Sequence, residues 1–422
     1  MTEEYLHYSW KNKRFDFQNL ETTQNQNLRI KTMGYANSNS GPDFLFAQIR
    51  INGVLLFGHV EIHIKSSDWY AHGHQNDLAY EAVVLHIVYT ADQSVFRIDG
   101  SEIPQLELRD RLNEWSFQRY QSLVENQKWI ACENFIIDWP REKARLWLYR
   151  LAIERFENKW QTLYKRLEEG DSFYQISWEL LAKGFGMKVN AEAFTALARK
   201  ISWKQVLESS AKGPHILEAL FFGAAGLLPP KEEAKGYLQN LLSEWSFLQS
   251  KWNIQPMQPI EWRFSRMRPA NFPTVRLAQL SSLIHAHPEC IEKPGTKILW
   301  RPFSEWYQTH DWVKHFHFKT QSEDKLHFLP SQGFLVHLEI NVFYPLRFSW
   351  HRWQGNESYA EDLLDAMEKL PAENNSIVKR FKDLGLELSN AIESQASLQL
   401  FNEFCQHKRC LQCSMGQHIL ER

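Results

Sequence analysis

No stretch of this chain approaches the roughly 20 consecutive apolar residues that a membrane-spanning helix needs. The longest apolar run, Ile216 to Leu228, is interrupted by Glu218, Gly223 and Gly226, so no membrane partner is expected. Cysteine is scarce: five in 422 residues, an odd number, which suits reduced thiols or a metal site better than a disulfide framework. The net charge is only -2. No global field then draws in a polyanion, and any contact with nucleic acid must come from a local patch. Neither GxxxxGKS nor GxGxxG follows a strand pattern, which argues against nucleoside triphosphates and dinucleotides as cofactors. The opening MTEEYLHYSWKNKRF carries two acids and no apolar core of a leader, so a cytoplasmic location is expected.

Aromatic residues, by contrast, are abundant along the whole chain, and they supply rigid cores and make long disorder unlikely to be tolerated. Thr2 caps a short first helix over Glu3 to Trp10. Leu28 to Met33, Phe46 to Ile51, Val54 to Lys65 and Val83 to Thr90 alternate or are β-branched, as strands do, and the Asn52-Gly53 pair between two of them signals a tight hairpin. A short helix is expected over Gln75 to Ala82. From Arg141, after Pro140, apolar residues recur at three- and four-residue spacing through REKARLWLYRLAIERFENKWQTLYKRL, a long amphipathic helix. Helical patterns follow at Phe173 to Phe185, Ala191 to Leu207, His215 to Leu228, Glu232 to Trp252 and Val275 to His287. Phe334 to Tyr344 reads as a strand, and helices at Tyr359 to Lys369, Ser376 to Leu384 and Ala391 to Cys405 close the chain. A single core stops growing near roughly 250 to 300 residues. Three domains are expected: an α/β one over 1–130, a helical one over 131–253, and a mixed, mainly helical one over 254–422. The class is α+β.

Most of the candidate chemistry lies between Gly41 and His86. In Gly41-Pro42-Asp43-Phe44 the proline pre-sets the backbone before a strand, and Glu61 stands eighteen residues on in GHVEIHIK. Alternation on a strand places Glu61, His63 and Lys65 on one face, and the hairpin brings Asp43 opposite the end of its partner. Two converging carboxylates suit Mg²⁺ or Mn²⁺, which lowers the pKa of bound water and offsets charge on phosphorus, while a neighbouring Lys or His orients the attacking water.

This order of helix, strand, hairpin with PD and ExK, helix and strand resembles the PD-(D/E)xK nuclease core, an αβββαβ arrangement around a mixed sheet. The resemblance covers about the first hundred residues. It implies Asp43 and Glu61 as metal ligands, Lys65 or His63 as the water-positioning group, and Glu4 as an extra carboxylate. His63 stands where that family usually has lysine, so either Lys65 has taken over the role, His63 performs it, or catalysis is lost. By the same analogy Asp77, Tyr80 and His86 anchor substrate. The rest of the chain is similar to an uncharacterised bacterial family of about this length. Two other readings stand beside this one. Asp43 can be a turn residue with Glu61 and Lys65 in a cross-strand ion-pair face. Alternatively His72, His74 and His86 can bind Zn²⁺, Mn²⁺ or Fe²⁺ in a hydrolase of another class.

Two further motifs bear on function. FCQHKRCLQCSMGQHIL gathers Cys405, Cys410 and Cys413, and the C-x2-C pair is a ligand knuckle for Zn²⁺ or an iron–sulfur cluster. The fourth ligand is open among His407, His418, Cys132 and Cys290, and a likeness to helicase-linked nucleases would nominate Cys132. A buried cluster of reduced thiols is the metal-free alternative. Upstream, EWRFSRMRPANFPTVR sets Arg263, Arg266 and Arg268 beside Trp262 and Phe264, a composition that clamps phosphates and stacks bases or pairs with local acids in a loop. The leading expectation is a metal-dependent phosphodiesterase acting on nucleic acid. The alternative is an inactive interaction module on the same scaffold.

Overall fold

A computed structural model of the chain describes residues 1–233, 235–294, 315–318, 320–321, 330–356 and 358–422. They divide into two compact units. The first comprises Met1–Trp147, Leu384–Leu386 and Leu400–Arg422, and the second Leu148–Asp383 and Glu387–Gln399. The class is α+β, with a mixed sheet near the N-terminus and a largely helical remainder.

In the first unit, helix α1 (Glu3–Lys11) starts where Thr2 accepts from the Tyr5 amide. Strands β1 (Leu28–Thr32), β2 (Tyr35–Ala36), β3 (Phe44–Ile51), β4 (Val54–Lys65), β5 (Val83–Thr90) and β6 (Gln105–Glu107) form one sheet in the order β1-β3-β4-β5-β6, with β2 also on β3. β3 and β4 are antiparallel and turn at Asn52-Gly53, both with positive φ (46° and 89°), as the hairpin signal demands. β5 runs parallel to β4, and β6 parallel to β5. A parallel neighbour needs a crossover, and the residues between β4 and β5 provide it: helix α2 (Asp68–Ala71), then single turns at His74–Asn76 and Leu78–Tyr80. The short helix expected over Gln75 to Ala82 is thus replaced by turns, one of them capped by the Asp77 side chain, because Asp prefers to bond its own backbone.

Alternation sorts the sheet's side chains. Val60 and Ile62 of β4 and Leu85 and Ile87 of β5 are wholly buried, in a core with Leu6 and Trp10 of α1. Residues of the opposite parity, Glu61, His63 and His86, are buried as well. They lie beneath a second, smaller cluster built around Trp69 and Tyr80. Helix α3 (Glu114–Glu125) belongs to the same unit.

The helices expected from apolar spacing are present. They are α4 (Arg141–Glu168), α5 (Phe173–Gly186), α6 (Ala191–Lys200), α7 (Trp203–Lys212), α8 (Pro214–Ala224), α9 (Tyr237–Trp252) and α10 (Pro273–Ala286). The single helix expected over Ala191 to Leu207 is two, because Ser202 forms a capping box with Gln205 and starts α7 anew. Gly223, in the FFGAAG run, sits where a Cβ would strike the Trp245 ring at 2.0 Å, so the glycine lets α8 and α9 close up.

Phe334 to Tyr344 is a correction. It is helix (Gln332–Leu338) running into a wide π-helical turn (Glu339–Phe343), capped by Ser331. Its β-branched residues suggest a strand, yet Leu338 and Val342 lie four apart and both press on Gly184 of α5, and this packing overrides local propensity.

A candidate metal centre on the sheet

Glu61 and His63 lie two apart on β4 and share its polar, buried face, and His86 of β5 is the cross-strand partner of Glu61. His63 Nδ1 lies 2.9 Å from His86 Nε2. The crossover then supplies two more imidazoles. Gly73, at φ 80°, stands between His72 and His74; this left-handed turn, easy only for glycine, lets both rings face β4. His72 Nδ1 approaches His63 Nε2 at 3.0 Å. His74 Nε2 lies 3.3 Å from Glu61 Oε1, which is 3.5 Å from His63 Nε2. Tyr80 stacks on the His74 ring at 3.8 Å and fixes its plane.

These atoms test for a metal. With bonds of roughly 2.1 Å, adjacent donors around an ion stand ~3.0 Å apart in an octahedron and ~3.4 Å apart in a tetrahedron. Glu61 Oε1 and the ring nitrogens meet at those spacings, and one nitrogen from each of His63, His72 and His74 lies within 4.8 Å of the other two. His74 Nε2 is also buried with no hydrogen-bond partner, a costly state that a cation would relieve. The donor set fits a divalent transition metal.

The electrostatics agree. Burial, reinforced by the Asp43 charge, pushes the Glu61 carboxyl up to about 9. Burial and neighbouring imidazolium charge bring His63 down to about 3; His74 and His86 are lowered for the same reasons. The imidazoles are therefore held neutral, the form in which they ligate, and among the described residues no lysine or arginine pairs with Glu61.

Asp43 adjoins this group. Its amide donates to Glu61 Oε2 at 3.1 Å, and its own Oδ2 accepts from the Ile62 amide at 2.9 Å. His7 Nε2 of α1 lies 3.2 Å from the same Asp43 oxygen and 3.9 Å from Glu3. Burial disfavours charge on His7, but Asp43 and Glu3 outweigh it and raise its pKa.

The remaining sequence candidates lie elsewhere. Lys65 is exposed; its amide bonds Asp68, and its charge acts on Asp92. Glu4 accepts from the Tyr120 hydroxyl at 2.9 Å, whereas Glu3 and His7, which the sequence reading passed over, reach Asp43. Their i, i+4 spacing on α1 was the available signal. Asp77 caps a turn through the Ala79 amide at 2.9 Å. Tyr80 and His86 support His74 and His63. In the second unit, the Arg263 amide donates to Asn190 Oδ1 at 2.8 Å. Arg266 and Arg268, with Lys188 and Arg276, line a cavity of about 370 Å³. The Arg276 guanidinium lies 3.4 Å over the Phe334 ring and bonds Asn271 at 2.6 Å. His407 is exposed, whereas Cys132 comes near Cys405, Cys410 and Cys413.

An α+β protein with a carboxylate buried among imidazoles on a mixed sheet is the class these features define. The chain belongs to the family described as protein of unknown function (DUF2851), whose profile matches residues 3–376. No curated protein and no solved structure matches it.

Proposed function

We propose that this protein is a metal-dependent phosphodiesterase acting on nucleic acid, with Glu61, His63, His72 and His74 as metal ligands. The observation that carries the reading is the meeting of Glu61 Oε1 with three imidazoles at ligand spacing in a buried site. The sheet supports it too, since three antiparallel strands followed by a parallel one is the strand pattern of the αβββαβ nuclease core. A donor set rich in imidazole favours Mn²⁺, Fe²⁺ or Zn²⁺ over Mg²⁺. This accounts for histidine at the position of the usual lysine: His63 binds, and Lys65 is left to the surface.

A bound metal supplies Lewis acidity and a water acidified toward neutral pH. The chain's own groups do the rest. His86 holds the second nitrogen of His63 and so sets the ring's orientation and tautomer. Asp43, locked by the Ile62 amide, keeps His7 in its charged form, where it can protonate a departing oxygen. Arg266 and Arg268, which make no ion pair with a described carboxylate, suit phosphate binding.

The test is to strip the purified protein of metal, restore Mn²⁺, Zn²⁺ or Mg²⁺ singly, and assay cleavage of single- and double-stranded DNA and RNA. Activity restored by Mn²⁺ or Zn²⁺, and reduced about a thousand-fold or more in Glu61→Gln, is the expected result. A folded, metal-loaded wild type that binds nucleic acid without cutting it would make the protein a binding module. One that takes up no metal at this site would end the reading.

A further inference from the structure

Four of the five cysteines meet in the first unit, far from the histidines in sequence, and several packing contacts bring them together. Trp129, three residues before Cys132, stacks on Phe401 at 4.8 Å, and Cys405 ends the wide helical turn Leu400–Cys405 that carries Phe401. Cys410 and Cys413 share one tight turn, the Cys413 amide donating to the Cys410 carbonyl at 3.2 Å. Lys408, between Cys405 and Cys410, donates to the Val124 carbonyl at the end of α3. Helix Ser414–Glu421 presses so closely on the turn that a Cβ at Gly416 would stand 2.0 Å from the Cys410 carbonyl oxygen. Every pair among the four is within electrostatic reach: Cys132 with Cys410 and Cys413, Cys405 with the other three, and Cys410 with Cys413. All are free thiols, and Cys290 lies in the second unit.

Four thiols gathered in an apolar setting make a poor core, since each sulfur displaces a hydrocarbon that would pack as well, and any two thiolates repel. A thiophilic cation reverses this logic by deprotonating the thiols and binding them. Four cysteines, two of them in a C-x2-C knuckle, are a complete set for a tetrahedral zinc ion or an iron–sulfur cluster. We propose that Cys132, Cys405, Cys410 and Cys413 hold a thiolate-bound metal centre that clamps the C-terminal segment 405–422 to the residues around Cys132. Its role is structural, in the way that metal binding closes a fold whose ends are distant along the chain. It does not depend on the reading of the histidine site.

The experiment uses the full-length Glu61→Gln/His63→Ala variant, so that metal on the sheet does not enter the count. The protein is produced in cells supplied with iron and zinc, purified without oxygen, and analysed for metal, acid-labile sulfide and visible absorbance. Brown protein with iron and sulfide identifies a cluster; colourless protein with about one zinc per chain identifies zinc. Cys290→Ser should retain the metal, whereas Cys132→Ser and Cys410→Ser should lose most of it. Should those two variants not fold, chelation of the parent serves instead: metal release must be matched by the appearance of four reactive thiols and a fall in Tm. A folded parent without metal, or a Cys132→Ser variant with its full complement, overturns the proposal.

Discussion

Glu61 in the sheet and Glu179 in the helical unit are equally hidden, with side chains 6% and 5% exposed, yet their surroundings differ in kind. Glu179 receives a two-pronged contact from Arg166 at 2.9 and 3.1 Å, a third bond from Arg199 at 3.2 Å and a fourth from Gln175. Its charge is met in full by permanent cations. Glu61 has one backbone amide and the edges of neutral imidazoles. A buried carboxylate left so short of positive charge costs several kcal/mol or takes up a proton. One acid is spent on the fold, and the other is held ready for a cation that binds later.

The largest effect expected from this contrast is reciprocal. Glu61→Gln should abolish metal uptake at the sheet and, in the metal-free state, leave Tm unchanged or raised. Glu179→Gln should lower stability by about 1–3 kcal/mol, toward the lower end because Arg199 is largely exposed, with metal content unchanged. Equal loss of Tm in both variants, read by calorimetry of metal-free protein, would break the comparison. His86 comes next. It touches no ligand position directly but orients His63, so His86→Ala should weaken metal affinity by about 10- to 100-fold, measured by competition with a chelator; unaltered affinity would remove it from the site. Reversing two charges, Arg266→Glu with Arg268→Glu, should lower nucleic-acid affinity and flatten its dependence on salt, and an unchanged slope would confine those arginines to the loop.

The smallest effect is on pH dependence. Above the ordinary histidine value of 6.5 the imidazoles are neutral in both folded and unfolded protein, so Glu61 governs the difference within the site. Its folded pKa of about 9 lies above the ordinary 4.5, so the native state binds more protons than the unfolded one in this range. Stability must then fall as pH rises from about 6.5 to about 9. Metal-free wild type should lose Tm over that range, and Glu61→Gln should show a shallower decline.

Parts of this picture are legible in local pattern. Asn52-Gly53 announces the hairpin because both residues tolerate positive φ, and period-two alternation puts Glu61 beside His63 with Val60 and Ile62 turned into the core. The long helix from Arg141 follows from its apolar spacing. Other parts are not. Residues 334–344 look like a strand and are helical, since what decides is Gly184 on another helix. Glu4 was chosen over Glu3 because nothing local to α1 says which acid faces Asp43. Lys65 has the right parity but sits at the strand's end, where the chain turns away and leaves it exposed.

The sequence by itself determined the α+β class, the strand face on which Glu61 and His63 stand, and the C-x2-C knuckle. Each depends on spacings of a few residues and on backbone preferences that act within them. Only the tertiary structure decided that His72 and His74, rather than Lys65, meet Glu61, that His7 reaches Asp43, and that Cys132 joins the C-terminal thiols. Those meetings bring together groups carried by separate elements, and the packing that sets their distances has no signature in any single stretch of chain.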